Sequence, residues 1–429
     1  MKRRKWVAAT AVVAVTGAFA LVGAAAGGTA GAAGSSGGSV RGVTSTSITV
    51  AGISQAEQFP GSDMETGAKA AFALVNAKGG VYGRKINYVE SADDQGSVSV
   101  DLSQVQRLVE QDQVFALVPV LDPFLDEAGP YLAAQKVPFF GWGVDHAFCD
   151  NPYAFAFTGC IVPPPNIPTT GTTWGALLNA YFKANGSPGG AKGKTAAVIS
   201  EDNATGISGA QVIEAQVKKA GFKSVYLQHT LPAPPAVVGD YTPFVQAMMT
   251  SANGQQPDAI FLVTTVNNTE KLVSALPAAG YKGVLTNAVL YDPRAVGLTK
   301  DNFEFTQFDT PVDTTNPAMN QIVANIKAVG GPNVVITQGM LSAYFSADAF
   351  VKVLQKTGKN LTPETFAAVM KNFTYQIPGV VGPTVYPEAE TEGSPCGSLI
   401  GSNGTTFSIA VKYTCYQDFN YKTGKFLKF

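Results

Sequence analysis

Short apolar runs alternate with amphipathic stretches along this chain, and that alternation limits the possible folds more than any other feature. The run Ile48–Ile53 is followed by the helix-period stretch Met64–Ala77, which ends at a glycine pair, and then by the run Lys85–Val89. Runs at Phe115–Val120 and Val137–Phe140 continue the series. Strands connected through helices pair in parallel, so the pattern predicts an α/β fold with a parallel sheet covered by helices on both faces.

The same alternation starts again after the proline run 163–165 and predicts a second α/β unit. Its strand-like runs are Thr195–Ser200, Ser224–His229, Ala259–Thr264 and Val284–Asn287. The last third instead predicts three helices, at 319–329, 340–356 and 363–371, and a hairpin of 406–411 with 415–419. Because helices that follow two complete units must pack back onto one of them, we expect each unit to be built from discontinuous segments.

The N-terminal residues resemble an export signal. Lys2–Lys5 is a positive segment, an apolar stretch runs from Trp6 to about Val22, and Ala24–Ala26 offers a cleavage site. The stretch is mostly Ala and Val and would span a membrane weakly, which favours cleavage over a retained anchor. Sec export is favoured over the twin-arginine route that Arg3-Arg4 suggests. No cysteine stands directly after the apolar stretch, so we expect an exported, periplasmic or extracellular protein at the cell surface without a lipobox cysteine.

Length and composition predict two domains and exclude some partners. Residues 27–42 are rich in Gly, Ala and Ser and predict a flexible linker, and the rest exceeds the ~250–300 residues of one core. The predicted limits are a signal peptide 1–26, a linker 27–42, a first lobe 43–163 plus 307–375, and a second lobe 164–306 plus 376–429. Lys+Arg 30 nearly balances Asp+Glu 31, so we expect no nucleic-acid partner. We expect a monomer.

The chain has four cysteines, and export permits disulfides. The short spacings favour the pairs Cys149–Cys160 and Cys396–Cys415 over the two crossed pairings. Zinc ligation is the alternative, but the chain has two histidines and no C-x-x-C, so we expect no metal and no other cofactor.

Motifs for covalent chemistry are missing. The segment ending in Gly193-Lys194-Thr195 precedes a strand, whereas a phosphate-binding loop follows one, and no G-x-S-x-G follows a predicted strand. Asp93-Asp94 is interpreted as a solvated turn and His146 as a polar loop residue. The sequence therefore predicts a protein that is not an enzyme.

Aromatic, amide and hydroxyl residues instead cluster where the predicted strands end. Open α/β sheets bind ligands outside the carboxyl ends of their strands, and this mixture suits a pocket that orients a small molecule. The predicted ligand contacts are Ser54, Gln55, Phe59, Asp122, Phe124, Trp142, Gly143, Asp145, Thr205, Thr265, Asn267, Tyr291, Asp292 and Tyr344.

The segment Asn76–Ile86 carries a family resemblance. It reads N-A-K-G-G-V-Y-G-R-K-I and resembles the N-A-x-G-G-[IV]-x-G-x-x-[IL] motif of type 1 periplasmic binding proteins, specifically the leucine/isoleucine/valine-binding group. Gly42–Thr44 and Lys136–Phe140 resemble two further family segments, and the element spacing is compatible from about Val43 to Gly382. The resemblance implies two Rossmann-like lobes with parallel central sheets, a three-strand hinge and ligand capture by closure.

The family's amino-acid contacts carry over in part. Asp122 and Asp145 stand in the loops where the resemblance implies carboxylate-binding hydroxyls, and Thr205 stands where it implies a tyrosine. The implied ammonium-binding glutamate is replaced by an apolar run, with Asp292 the nearest carboxylate, whereas the aromatic near Tyr344 is retained. Acidic residues repel a carboxylate, so a cation, amide or polyol fits better.

The resemblance implies the solute-binding component of an ABC importer, which captures a small polar solute such as an amino acid or a related compound. Its partners would be that solute and the membrane permease subunits. An extracellular sensing module of the same fold is the alternative, and a secreted hydrolase is a third.

Overall fold

The computed structural model describes residues 39–56, 58 and 60–427. The predicted signal peptide and most of the predicted linker lie outside the described residues. No described helix has both the length and the hydropathy needed to cross a membrane.

Residues 47–156 build a five-stranded, wholly parallel sheet in the order β2-β1-β3-β4-β5. Its strands are β1 (Ser47–Ser54), β2 (Lys85–Asp93), β3 (Ala116–Leu121), β4 (Phe139–Gly141) and β5 (Ala154–Ala156), and its helices are α1 (Met64–Asn76), α2 (Val98–Glu110) and α3 (Ala128–Ala134). The middle strand β3 is buried along its whole length, because helices cover both faces of the sheet. We call this sheet and the helices packed on it the first lobe.

The next segment supplies most of a second sheet. It comprises β6 (Thr169–Gly171), α4 (Thr173–Ala184), β7 (Thr195–Glu201), α5 (Ala204–Ala220), β8 (Lys223–Leu231), α6 (Thr242–Met249), β9 (Ala259–Val263), α7 (Val266–Ala278), β10 (Val284–Asn287) and β11 (Asn302–Thr306). Helices α4 and α5 bury one face of this sheet and α6 and α7 bury the other. This sheet and its helices form the second lobe.

The last third returns to both lobes. It comprises α8 (Pro317–Gly330), α9 (Gln338–Thr357), α10 (Pro363–Met370), β12 (Thr374–Ile377), β13 (Val381–Val385), β14 (Cys396–Ser402), β15 (Phe407–Cys415) and β16 (Asp418–Asn420). The three helices pack on the first lobe, whereas β14 and β15 complete a seven-stranded sheet ordered β15-β14-β11-β10-β9-β7-β8. The two added strands run antiparallel to their neighbours.

Helices α1 and α9 make the tightest helix contact of the first lobe. A β-carbon at Gly67 would lie 1.9 Å from the backbone oxygen of Met340, so glycine is what allows the two backbones to approach this closely. Apolar residues of α9 are buried along most of its length, including Phe345 and Phe350. The helix thus anchors the last third of the chain to the first lobe.

The chain passes between the lobes three times, between β5 and β6, after β11 and before β14. The hairpin β12–β13 packs in the apolar core of the first lobe through Tyr375, Val380 and Val381. The sequence analysis ended the first lobe at residue 375, which assigned most of that hairpin to the second lobe. We propose that the second lobe resumes near Pro395 instead.

The α/β class with two mostly parallel sheets is confirmed. The predicted hairpin of 406–411 with 415–419 is wrong, because β15 pairs with β14, and β16 leaves the sheet to pair with β6. Strands β5 and β11 were not predicted.

Candidate functional site

A cavity of about 190 Å³ lies between the two lobes, at the carboxyl ends of their parallel strands. Gln55, Leu121 and Trp142 line it from the first lobe, and Glu201 and Thr265 line it from the second. All three crossings reach it as well, through Thr173 after the first, Gln307 in the second and Ser394 in the third. The crossings therefore form its floor.

Apolar side chains make up most of the cavity wall. Trp142 of the first lobe and Trp174 in the first turn of α4 supply the largest rings, and the remainder includes Leu121, Val212, Ile213, Leu262, Val266 and Val289. The Trp174 ring stacks on Phe305, with 4.7 Å between ring centroids and 13° between planes. This packing holds one face of the Trp174 ring, so the ring is a fixed wall for an apolar ligand.

Glu201 is the one ionisable side chain among the described residues lining the cavity. It ends β7, and its Oε1 accepts from Thr265 N (3.0 Å), Thr265 Oγ1 (2.6 Å) and Asn268 Nδ2 (2.7 Å). Burial raises the pKa of the Glu201 carboxyl, and these hydrogen bonds oppose the rise. A carboxylate held on one oxygen leaves the other available to an N–H or O–H of a ligand.

Asp145 and Thr205, both predicted contacts, bond to each other across the lobes. Thr205 Oγ1 donates to Asp145 Oδ2 at 2.9 Å, and Asp145 Oδ1 accepts from the backbone N–H of Ala147 at 2.8 Å. Burial raises the pKa of the Asp145 carboxyl to about 6. Thr205 lines the cavity, whereas Asp145 lies behind it and holds the two lobes together.

Four predicted contacts of the first lobe are buried in its structure and do not line the cavity. Ser54 Oγ donates to the backbone oxygen of Gly61, and Asp122 Oδ1 accepts from the backbone N–H of Phe124 at 2.7 Å. Phe124 is itself buried, and the N–H of Gly143 donates to Thr158 Oγ1. Of the remaining predictions in this lobe, Gln55 and Trp142 line the cavity, and Phe59 lies outside the described residues.

Asp122 belongs to a buried carboxyl cluster with Asp94 and Asp101. Burial is the main cause that raises the pKa of Asp94 to about 9 and that of Asp101 to about 8, and it also raises the pKa of Asp122. The interpretation of Asp93-Asp94 as a solvated turn is wrong for Asp94, which has no exposed surface. No group of three or more His, Cys, Asp or Glu residues in the described part of the chain is placed to hold a metal ion.

In the second lobe, Thr265 lines the cavity, but its neighbour Asn267 is exposed and Asn268 takes the inward position. The other three predicted contacts, Tyr291, Asp292 and Tyr344, do not line the cavity. The Tyr291 ring packs on Phe407 at 5.1 Å between centroids, Asp292 forms an ion pair with Arg294, and the Tyr344 hydroxyl accepts from Asn325 in the first lobe.

Both disulfides predicted from the spacing form, Cys149 with Cys160 and Cys396 with Cys415. Cys160 and Cys396 line the cavity, where the first crossing begins and the third ends. Each disulfide therefore ties one crossing to its lobe.

Several cavity residues were missed from the sequence. Glu201 lies one residue beyond Ser200, where the predicted strand ends, so a one-residue error in the strand limit concealed it. Trp174, Gln307 and Ser394 lie on or beside the crossings, where no strand-end rule applies. Pairing of β14 with β11 could have indicated a crossing at Gln307, but β11 itself was not predicted.

Two α/β lobes joined by three crossings, with a cavity between them, define a two-lobed solute-binding protein. A family model described as periplasmic binding protein matches residues 48–397, and the chain belongs to this family. Comparison with curated protein sequences gives no match.

Solved structures of the same fold are distant in sequence. A fatty acid ABC transporter substrate-binding protein from Thermomonospora curvata is 16% identical, with a TM-score of 0.69 over 87% of this chain and 94% of that one. A solute-binding protein from R. palustris, in complex with 4-hydroxybenzoate, is 18% identical (TM-score 0.67, 86% and 97%). A substrate-binding protein from Desulfitobacterium hafniense, in complex with Leu, is 15% identical (0.64, 85% and 99%). These neighbours are binding proteins, not enzymes.

Proposed function

We propose that this protein is the exported, monomeric solute-binding component of an ABC importer, and that its closed form is recognised by membrane permease subunits. The observation that carries the proposal is the cavity between the lobes, whose lining comes from both lobes and all three crossings. A solute placed there touches both lobes only when they are closed. It therefore shifts the equilibrium toward that form by its differential affinity.

We propose further that the solute has an apolar body and polar ends, and that it is neutral or positively charged. The apolar wall with two tryptophans supports the first part. The second is supported by Glu201 and by the lack of any Lys, Arg or His among the described lining residues. The names of the three solved structures mention fatty acids, 4-hydroxybenzoate and leucine. These compounds share an apolar body, but each also has a carboxylate.

The test is a solute screen on the full chain, with small amides, amines, alcohols, amino acids and aromatic acids. Two of the three tryptophans line the cavity, so intrinsic fluorescence should change on binding. Small-angle scattering should then show compaction with each solute that changes the fluorescence. A screen in which no solute compacts the protein, or turnover of a solute by the protein alone, would overturn the proposal.

Export and oligomeric state have their own measurements. Sequencing the N-terminus of the secreted protein should give a start near residue 27, as the cleavage site predicts. Light scattering should give the mass of one chain.

A further inference from the structure

Three residues that line the floor of the cavity each carry a buried polar atom with no partner among the described residues. The atoms are Thr173 Oγ1, Gln307 Oε1 and Ser394 Oγ, on side chains that are 5%, 4% and 7% exposed. We call these three residues the hinge floor. Buried hydroxyl and amide groups are nearly always hydrogen-bonded, because leaving them without a partner costs their hydration. Three such atoms around one cavity point to a partner that is not part of the protein.

The three residues lie on or beside three different crossings. Thr173 follows the first crossing, at the start of α4. Gln307 lies in the second crossing, between β11 and Phe308 in the core of the first lobe, and Ser394 lies in the third, just before β14. The backbone of Ser394 is fixed to the first lobe, since its N–H donates to the Thr158 oxygen at 2.7 Å. A ligand group bonded to all three would therefore contact every segment that must bend when the lobes move.

The chemistry of the hinge floor selects the group it can take. Two hydroxyls can donate or accept, while the Gln307 oxygen accepts, so the ligand must bring at least one N–H or O–H. No described cationic side chain lines the cavity, and the buried carboxyl of Asp418 lies just behind the floor. A β-carbon at Gly171 would be 3.2 Å from Thr173 Oγ1 and 3.3 Å from Asp418 Oδ1, so Gly171 separates the two. The lack of a cation among these described lining residues disfavours a ligand carboxylate at this place.

We propose that the hinge floor is a polar subsite for an uncharged or cationic group bearing an N–H or O–H, with the apolar part of the solute lying against Trp142 and Trp174. This inference rests on the proposed function and specifies which end of the solute faces the hinge. The subsite lies on and beside the crossings, apart from the strand-end loops in which the sequence placed most of the ligand contacts.

The probes are five compounds with one phenyl ring and different heads: benzyl alcohol, benzylamine, benzamide, benzoate and toluene. Binding to the full chain is measured by tryptophan fluorescence and calorimetry. We expect the alcohol, amine and amide to bind about tenfold or more tightly than benzoate and toluene, because they can satisfy the unpaired groups.

The variants are Thr173→Val, Ser394→Ala and Gln307→Leu, with Ser408→Ala on the exposed part of β15 as the matched control. Each hinge-floor variant should reduce the preference for the polar heads about fivefold or more, with toluene affinity kept. Thr173→Val removes an unpaired hydroxyl, so its Tm should be equal to or above that of the parent protein. The control should change neither the preference nor the Tm.

The outcomes separate the two proposals. If the probes bind and the variants keep the parent preference, the hinge floor is not the subsite, while solute binding stands. If benzoate binds as tightly as the alcohol, or if no probe binds although other solutes compact the protein, the subsite is also excluded. Failure of every solute in the wider screen would overturn the proposed function itself.

Discussion

Thr205 in the second lobe donates a hydrogen bond to the buried carboxyl of Asp145 in the first, with 2.9 Å between the two oxygen atoms. The donor lies in the first turn of α5 and lines the cavity, whereas the acceptor caps a short 3-10 helix at residues 146–148. One side chain of the solute cavity thus also joins the lobes. A solute that displaces Thr205 would have to break this contact.

Thr205→Val should weaken closure. The substitution keeps the shape of the side chain and removes the donor, and it leaves Asp145 Oδ2 without this partner. A hydrogen bond of this kind contributes about 1 kcal/mol, so affinity for a captured solute should fall about fivefold, measured by calorimetry. Thr250→Val, on an exposed threonine that bonds within the second lobe, is the control. An unchanged affinity in Thr205→Val would mean that the contact does not stabilise the closed form.

Asp63→Asn should have a smaller effect that depends on salt. Asp63 in the first lobe pairs with Arg294 in the second, and both side chains are 39% exposed. Exposed ion pairs contribute about 0–1 kcal/mol and are screened by salt, so affinity should fall less than about fivefold, and the difference should vanish in 1 M salt. Asparagine tolerates the positive φ of 66° at this position.

Glu364→Gln is the control for that ion pair, because it breaks the exposed pair with Lys136 inside the first lobe. It should leave affinity unchanged at every salt concentration. A larger loss in Asp63→Asn that persists in high salt would contradict the assignment of a screened ion pair at the rim.

Stability should decrease from pH 5 to pH 9 because of the buried carboxyl cluster. The folded-state pKa is about 9 for Asp94 and about 8 for Asp101, above the ~3.9 of an unfolded aspartate. The folded protein binds more protons than the unfolded chain in this window, so the free energy of unfolding falls as pH rises. Scanning calorimetry across this range should show a decreasing Tm.

Asp101→Asn should reduce that decrease. Asparagine resembles the protonated carboxyl, so the variant should have nearly the parent Tm at pH 5 and a higher Tm at pH 9. The matched control is Asp301→Asn, at an exposed position with φ of 61° that asparagine also tolerates. An equal slope in Asp101→Asn and the parent protein would show that Asp101 does not take up a proton on folding.

Removing the second disulfide should destabilise the protein and weaken binding. Replacing Cys396 and Cys415 by Ala opens a loop with a sequence separation of 19 residues, for which the expected loss is about 3 kcal/mol in urea unfolding. Cys396 also lines the cavity beside Ser394, so solute affinity should fall as well. Loss of stability with affinity intact would show that the third crossing holds its position without the disulfide.

The period of the apolar pattern was sufficient to predict most of the parallel strands in the two sheets. Long runs such as Phe115–Val120 became buried strands because both faces of a parallel sheet are covered, and this leaves a strong signal. The short strand β5, of three residues, is too brief to show a period, and β15 paired with a neighbour that only the complete sheet defines. The disulfides were predictable because their spacings are short.

The site was predictable where strand ends define it and not elsewhere. Gln55, Trp142, Thr205 and Thr265 follow strands and do line the cavity. Asp122 and Asp145 also follow strands, but the folded chain surrounds their carboxyl groups, and no local pattern reports burial of that kind. The crossings depend on which distant segments meet, so the hinge floor could not be found from the sequence.

The pairing of β16 with β6 places residues 418–420 against the first crossing. During synthesis, β6 at the end of the first crossing therefore gains its partner strand β16 only after residue 420 has been made. The first lobe likewise waits for α9, at 338–357. Until then neither lobe has all of the segments that pack in it, so we expect stable folding to follow the synthesis of β16.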